Sequence, residues 1–160
     1  MLPHKLCMDA LGDIGPQIEK NIWPTFNELV CKKNRCPNYK NYPFFEKEVI
    51  KPLWKMLGYR GLKLPPYSGD VEKLFDSIAE DCFQKKKTNF CNMKEVQEAK
   101  GCAIDKGMGF IMKHLDMGAK YGYKENCEIA IKSLKDPKIW AWGRTIVKKF
   151  AKEVKPNQCK

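Results

Sequence analysis

The chain has 160 residues, eight cysteines, 43% hydrophobic residues and a formal net charge of +11. Eighteen aromatic residues against three Ser and three Thr exclude a low-complexity disordered chain. No apolar run approaches the ~18 residues a membrane-spanning helix needs, and the length suits a single domain, expected over residues 1–160, with a core of its own.

The first apolar pattern, Ile14, Ile18, Ile22, Phe26 and Val30, recurs every fourth position and predicts a helix that Pro24 divides or kinks, with Pro16 in its first turn. The stretch from Cys31 to Pro43, rich in Lys, Asn and Pro, reads as a loop. A second helical pattern runs from Phe45 to Leu57, interrupted near Pro52, and Gly58 to Gly69 reads as a linker. Asp70 is expected to cap a third helix through Val71, Leu74, Phe75, Ile78 and Cys82. Asn92 with Glu95 resembles a capping box opening a helix towards His114, although Gly101, Gly107 and Gly109 each weaken it by ~1 kcal/mol relative to Ala. A short helix is expected over 125–134, and Asp136-Pro137 should start a last one reaching about Val154. No alternating strand pair occurs, so the fold class is all-α, a disulfide-stapled bundle of five or six helices.

Cys7, Cys31, Cys36, Cys82, Cys91, Cys102, Cys127 and Cys159 form no CxxC pair, and His4 and His114 are the only histidines. Zinc ligation is therefore disfavoured against a framework of four disulfides. Spacing leaves the pairing open; local bridges such as Cys31–Cys36 or Cys82–Cys91 are candidates, while Cys7 and Cys159 should tie down the chain ends. Disulfides predict an extracellular, secreted protein. Residues 1–8 lack an apolar signal core, so Met1 is expected to be an added start residue before a mature chain beginning at Leu2.

The charge is uneven. Residues 1–80 carry a net +2 and residues 81–160 a net +9. Arg144, Lys148, Lys152 and Lys155 make a stripe along the last helix with Lys149 beside it; Lys85, Lys86 and Lys87 form a second cluster, and Lys32, Lys33 and Arg35 a third. Such a stripe is commonly the solvated side of an amphipathic helix, but Glu153 is the one acid after Asp136, so the usual interspersed charges are missing. A field of one sign attracts anions: a polysaccharide, a lipid surface or an acidic protein. Nucleic acid is disfavoured, with no zinc-finger spacing or RNP-like motif. Trp140 and Trp142 beside the stripe resemble an interfacial membrane helix, yet the apolar side of that helix is narrow enough for the core to consume it.

The material for catalysis is thin. His114 and Asp116, two apart on a helix, point in different directions. There is no phosphate loop, Gly-X-Ser-X-Gly elbow or HExxH helix, and the calcium loop and His-Asp cysteine helix of secreted phospholipases are absent. No catalytic residue, metal or cofactor is expected. The sequence predicts a secreted, non-enzymatic binding protein that engages an anionic partner through its basic C-terminal half, in composition like small salivary, venom and host-directed effectors. The alternative is a carrier of a small hydrophobic or amphipathic ligand, with Tyr39, Tyr42, Phe44, Phe45, Met108, Phe110, Met112 and Met117 as candidate lining.

Overall fold

The computed structural model describes residues 3–35, 37 and 39–154, except the side chain of Tyr39. It is all-helical, with no strand among the described residues. Among the described residues eight α-helices are present rather than five or six: α1 (Lys5–Asn21), α2 (Trp23–Leu29), α3 (residues 42–59), α4 (residues 69–84), α5 (Met93–Lys113), α6 (Leu115–Tyr121), α7 (Lys124–Leu134) and α8 (Pro137–Glu153). Short 3₁₀ turns cover Cys31–Lys33 and Tyr39–Asn41.

The differences from expectation have local causes. His4 caps α1 by accepting the Leu6 N–H on its ring nitrogen at 3.1 Å, so the helix starts well before Pro16, which sits mid-helix. Pro24 lies in the first turn of α2, and the division falls at Ile22. Pro52 does not end α3. The turn over Glu46–Ile50 widens into a π-helix just ahead of it, which relieves the clash a proline ring makes with the preceding turn. Asp70 is not the cap of α4: Ser68 holds that position, and Asp70 and Glu72 occupy the first turn, where the helix dipole favours acids. Asn92 caps α5 as expected, accepting the Glu95 N–H at 3.2 Å, but Glu95 reaches the Asn89 N–H instead of closing a reciprocal box. A break at His114 separates α6 from α5.

Packing follows the apolar faces. Helix α1 lies along α7, α2 along α8, and α4 along α5. Phe150 of α8 meets Phe26 at 6.3 Å and Phe44 at 5.2 Å between ring centroids. Trp54, Tyr67 and Phe75 form a second aromatic cluster joining α3 to α4, and the Trp54 indole donates to the Pro65 carbonyl at 2.8 Å. Val30, Cys82 and Val154 are fully buried, while Ile139, Val147 and Ala151 carry the inner side of α8. Full burial contributes ~1.5–3 kcal/mol for each such valine. The apolar side of the last helix is thus committed to the interior.

The long connection after α3 is held tightly. Gly61 ends the helix with φ 91°, a left-handed position that glycine takes without penalty, and the Leu62 N–H returns to the Leu57 carbonyl at 3.1 Å. Asn126 of α7, buried, then treats Lys63 as a strand would. Its Oδ1 accepts the Lys63 N–H at 2.8 Å, and its Nδ2 donates to the Lys63 and Tyr121 carbonyls, each at 2.8 Å.

Three disulfides join the described residues: Cys7–Cys127, Cys31–Cys91 and Cys82–Cys102. The local bridges Cys31–Cys36 and Cys82–Cys91 do not form, because Cys82 faces α5 and Cys31 faces the turn before it. Cys7 does tie down one chain end; Cys36 and Cys159 lie outside the described residues.

Candidate anion-binding surface

Helix α8 begins firmly. Asp136 accepts the Lys138 N–H at 2.9 Å and the Arg60 guanidinium at 2.6 Å, and these two bonds hold its carboxyl below the usual range. Along the helix the basic stripe divides by role. Arg144 donates to the Asn21 carbonyl at 3.2 Å, tying α8 to the end of α1. Lys149 pairs with Glu48 of α3 at 2.9 Å. Lys148 and Lys152, four residues apart, are exposed, and no ion pair involves them among the described residues. Lys155 lies outside the described residues.

The cluster after α2 divides likewise. Arg35 turns inward: its Nη1 donates to the carbonyls of Ala151 and Val154, the latter at 2.8 Å, and its buried Nε has no partner among the described residues. Lys32 pairs with Glu28 at 3.2 Å, one turn back, while Lys33 stands in solvent.

At the end of α4, Lys85 contacts Asp81 at 3.0 Å and Glu80 at 3.8 Å. Asp81 also receives Lys106 from α5, and the bonds from Lys106 and then Lys85 hold its carboxyl down at about 2. Lys87 adopts a left-handed φ of 48°, the position where a terminating helix ordinarily places glycine. The Thr88 N–H returns to the Phe83 carbonyl at 3.1 Å, and the Thr88 hydroxyl donates to the Cys82 carbonyl at 3.1 Å, so the reversal is anchored from inside. Lys86 and Lys87 project outward.

These three segments come together. Cys31 and Cys91 are bonded with Cα atoms 5.6 Å apart, which joins the turn bearing Lys33 to the one that follows Lys87. Arg35 joins the same turn to the last turn of α8, where Lys152 lies. Each basic cluster also marks a helix C-terminus, where the dipole presents roughly half a negative charge. Dipole compensation is the plain structural reason for cations there. Three such termini account for about one and a half charges, against Lys33, Lys86, Lys87, Lys148 and Lys152, none with an acidic partner among the described residues. A surplus of positive charge remains at this end.

A groove of about 970 Å³ runs between α4 and α5, with Leu74, Phe110 and Cys102 as its apolar floor and Lys73, Lys86, Lys113 and His114 on its rim. Added Cβ atoms at Gly101 and Gly109 would meet nothing within 4 Å there, so those glycines are not required for helix packing. His114 stacks on Phe110 with centroids 4.2 Å apart. The groove was hidden in the sequence because it depends on Cys82 pairing with Cys102, which spacing leaves open. Of the aromatic and Met residues considered as a ligand lining, Phe110 lies in this groove, whereas Phe44 is against Phe150, Tyr42 bonds Asp76 at 3.4 Å, and Phe45 and Met112 are exposed. Among the described residues no three His, Cys, Asp or Glu side chains gather to hold a metal, and no helix is long and apolar enough to cross a membrane. No family model, curated protein or solved structure matches the chain.

Proposed function

We propose that this protein is an extracellular, non-enzymatic binding protein that engages an anionic macromolecule, a polysaccharide in the first instance, through Lys33, Lys86, Lys87, Lys148 and Lys152. The observation that carries the reading is the junction of three basic helix ends through the Cys31–Cys91 bond and the Arg35 contacts with α8. Residues remote in sequence thereby form one positive field, which draws an anionic chain over ~8 Å at physiological salt. Arg35, Arg144, Lys32, Lys85 and Lys149 support the frame by their internal bonds and contribute to the field without facing the partner. Disulfide bonding favours an oxidising compartment.

The test is heparin chromatography with two quintuple variants of equal net charge. Replacing Lys33, Lys86, Lys87, Lys148 and Lys152 with Glu removes salt-resistant retention. Replacing Lys51, Lys55, Lys63, Lys132 and Lys138, exposed lysines elsewhere, reduces it much less. Equal elution of the two variants refutes the assignment.

The carrier reading has one observation in its favour, the groove between α4 and α5. It predicts one-to-one binding of a fluorescent fatty acid that Gly109→Trp abolishes, and an absence of binding disposes of it.

A further inference from the structure

The end of α1 and the corner between α7 and α8 border a cavity of about 260 Å³ that shares no residue with the five lysines of the basic end. Its walls are fixed by contacts between the helices. Gly143 lets α8 pass close to the end of α1, where an added Cβ would stand 2.8 Å from the Ile22 Cδ1, and the neighbouring Arg144 donates one Nη to the Asn21 carbonyl at 3.2 Å. Across the corner, the Trp140 indole N–H donates to the Leu134 carbonyl at 2.6 Å. Within α1, Asn21 donates to the Gln17 side-chain oxygen at 3.0 Å, and the Gln17 amide donates to Asp13 at 3.2 Å.

The charge of this cavity has one sign. Lys20, Lys135 and Arg144 line it, and no Asp or Glu does. The acids adjoining these residues in sequence are bonded elsewhere: Glu19 accepts from Gln97 and lies 4.0 Å from Lys100, while Asp136 accepts from Arg60 and the Lys138 N–H. Lys20 and Lys135 are exposed and make no ion pair among the described residues. Both stand at helix C-termini, those of α1 and α7, and two such termini present about one negative charge between them. Three cations against that leave a surplus of about two positive charges.

Two charges on one small group point to a phosphate monoester, which carries about −1.5 to −2 at neutral pH; a carboxylate or a sulfate ester carries a single charge. Trp140 adds a second requirement. With its N–H occupied, the indole offers the cavity only carbon surface, which suits the C–H side of a ring, and the spare hydrogen-bonding capacity of Gln17 suits hydroxyls. The volume falls just short of the ~300 Å³ at which pockets for drug-sized ligands begin. That is room for one substituted sugar ring.

We infer that this cavity is a binding site for a phosphate monoester carried on a single sugar ring, with Lys20, Lys135 and Arg144 on the phosphate and Trp140 against the ring. The site is separate from the basic end and does not rest on the proposal that an anionic macromolecule binds there.

Isothermal titration calorimetry of the oxidised full chain with glucose 6-phosphate tests it. The expected result is one-to-one binding that Lys20→Ala and Lys135→Ala each weaken by about tenfold; both side chains are exposed, so neither change disturbs the fold. Glucose 6-sulfate, of similar shape but lower charge, binds more weakly, and so does inorganic phosphate, which lacks the ring. Vesicles bearing phosphatidylinositol 4-phosphate separate two sources of the same chemistry: binding of the free sugar phosphate alone identifies a soluble ligand, and binding of both identifies a lipid headgroup. The quintuple Lys→Glu variant of the basic end keeps its affinity for glucose 6-phosphate, and the Lys20→Ala, Lys135→Ala double variant keeps most of its heparin retention, so the two proposals fail separately. No binding at millimolar glucose 6-phosphate overturns the inference, as does an affinity matched by the sulfate ester or by inorganic phosphate, or one that both lysine substitutions leave unchanged.

Discussion

Arg35 donates to the carbonyl of Val154 at 2.8 Å, across 119 residues of the chain. The same nitrogen serves Ala151, so one guanidinium satisfies two carbonyls at the end of α8 that the helix leaves without partners. A residue read from sequence as part of a basic patch is a helix cap.

Arg35→Ala should therefore lower stability by about 2 kcal/mol, the range for charge-assisted hydrogen bonds, with a lower urea midpoint. Arg35→Lys recovers part of the loss, because an ammonium retains the charge but not the planar fork. A midpoint unchanged in both variants contradicts the capping role.

Single reversals should separate paired from unpaired lysines. Lys148→Glu reduces the salt concentration for heparin elution more than Lys149→Glu, since Lys149 is already bonded to Glu48 at 2.9 Å. Lys86→Glu likewise exceeds Lys85→Glu, whose cation is occupied by Asp81 and Glu80.

The bridges differ in the loops they close. Cys7–Cys127 spans 120 residues and Cys82–Cys102 spans 20. Loop-closure entropy assigns ~5 kcal/mol to the first and ~3 kcal/mol to the second. Paired Cys→Ser variants should lose stability in that order by chemical denaturation, and peptide mapping of the oxidised protein should recover both links and Cys31–Cys91.

Two pH limits follow from the ionisable groups. Asp81 is held down at about 2 from an ordinary 3.8, first by its bond from Lys106 and then by Lys85. A depressed carboxyl stabilises the fold above its unfolded value, so this contribution is present above pH ~4 and is lost as the pH falls towards ~2. Asp81→Asn should flatten the acid unfolding curve in that window.

At the alkaline end, burial raises Tyr42 to about 12, and burial with a 2.8 Å bond to Glu46 raises Tyr67 further. A raised phenol stabilises the fold below its unfolded value near 10, and that support disappears as the pH climbs through ~12. Phenolate absorbance should show two of the six tyrosines ionising late, together with loss of helical signal.

How much of this was legible in the sequence depends on range. Asp136 and Asn92 cap the helices assigned to them because a cap is decided within three residues, and the face of α8 that carries Ile139 and Val147 is buried as its periodicity predicts. Helix number was not legible. His4 could not be recognised as the cap of α1, nor could the π turn that lets α3 pass Pro52, because both depend on geometry that residue type does not encode. The basic residues were found by counting, but their division between frame and surface was set by partners such as Glu48, Asn21 and Ala151, which are remote in sequence. Their meeting at one end rests on a disulfide that spacing could not choose.

Asn126 holds both main-chain groups of Lys63 with a single side chain. An aspartate there is almost the same size and shape, yet it could only accept. Deamidation would turn a donor towards two carbonyls into an acceptor facing them, with a charge added in a buried place. Asparagine is among the thermally fragile residues, so loss of this one amide would cost the linker its anchor to α7. While α7 stays folded around it that amide is shielded, and once the linker opens the damage forbids its return.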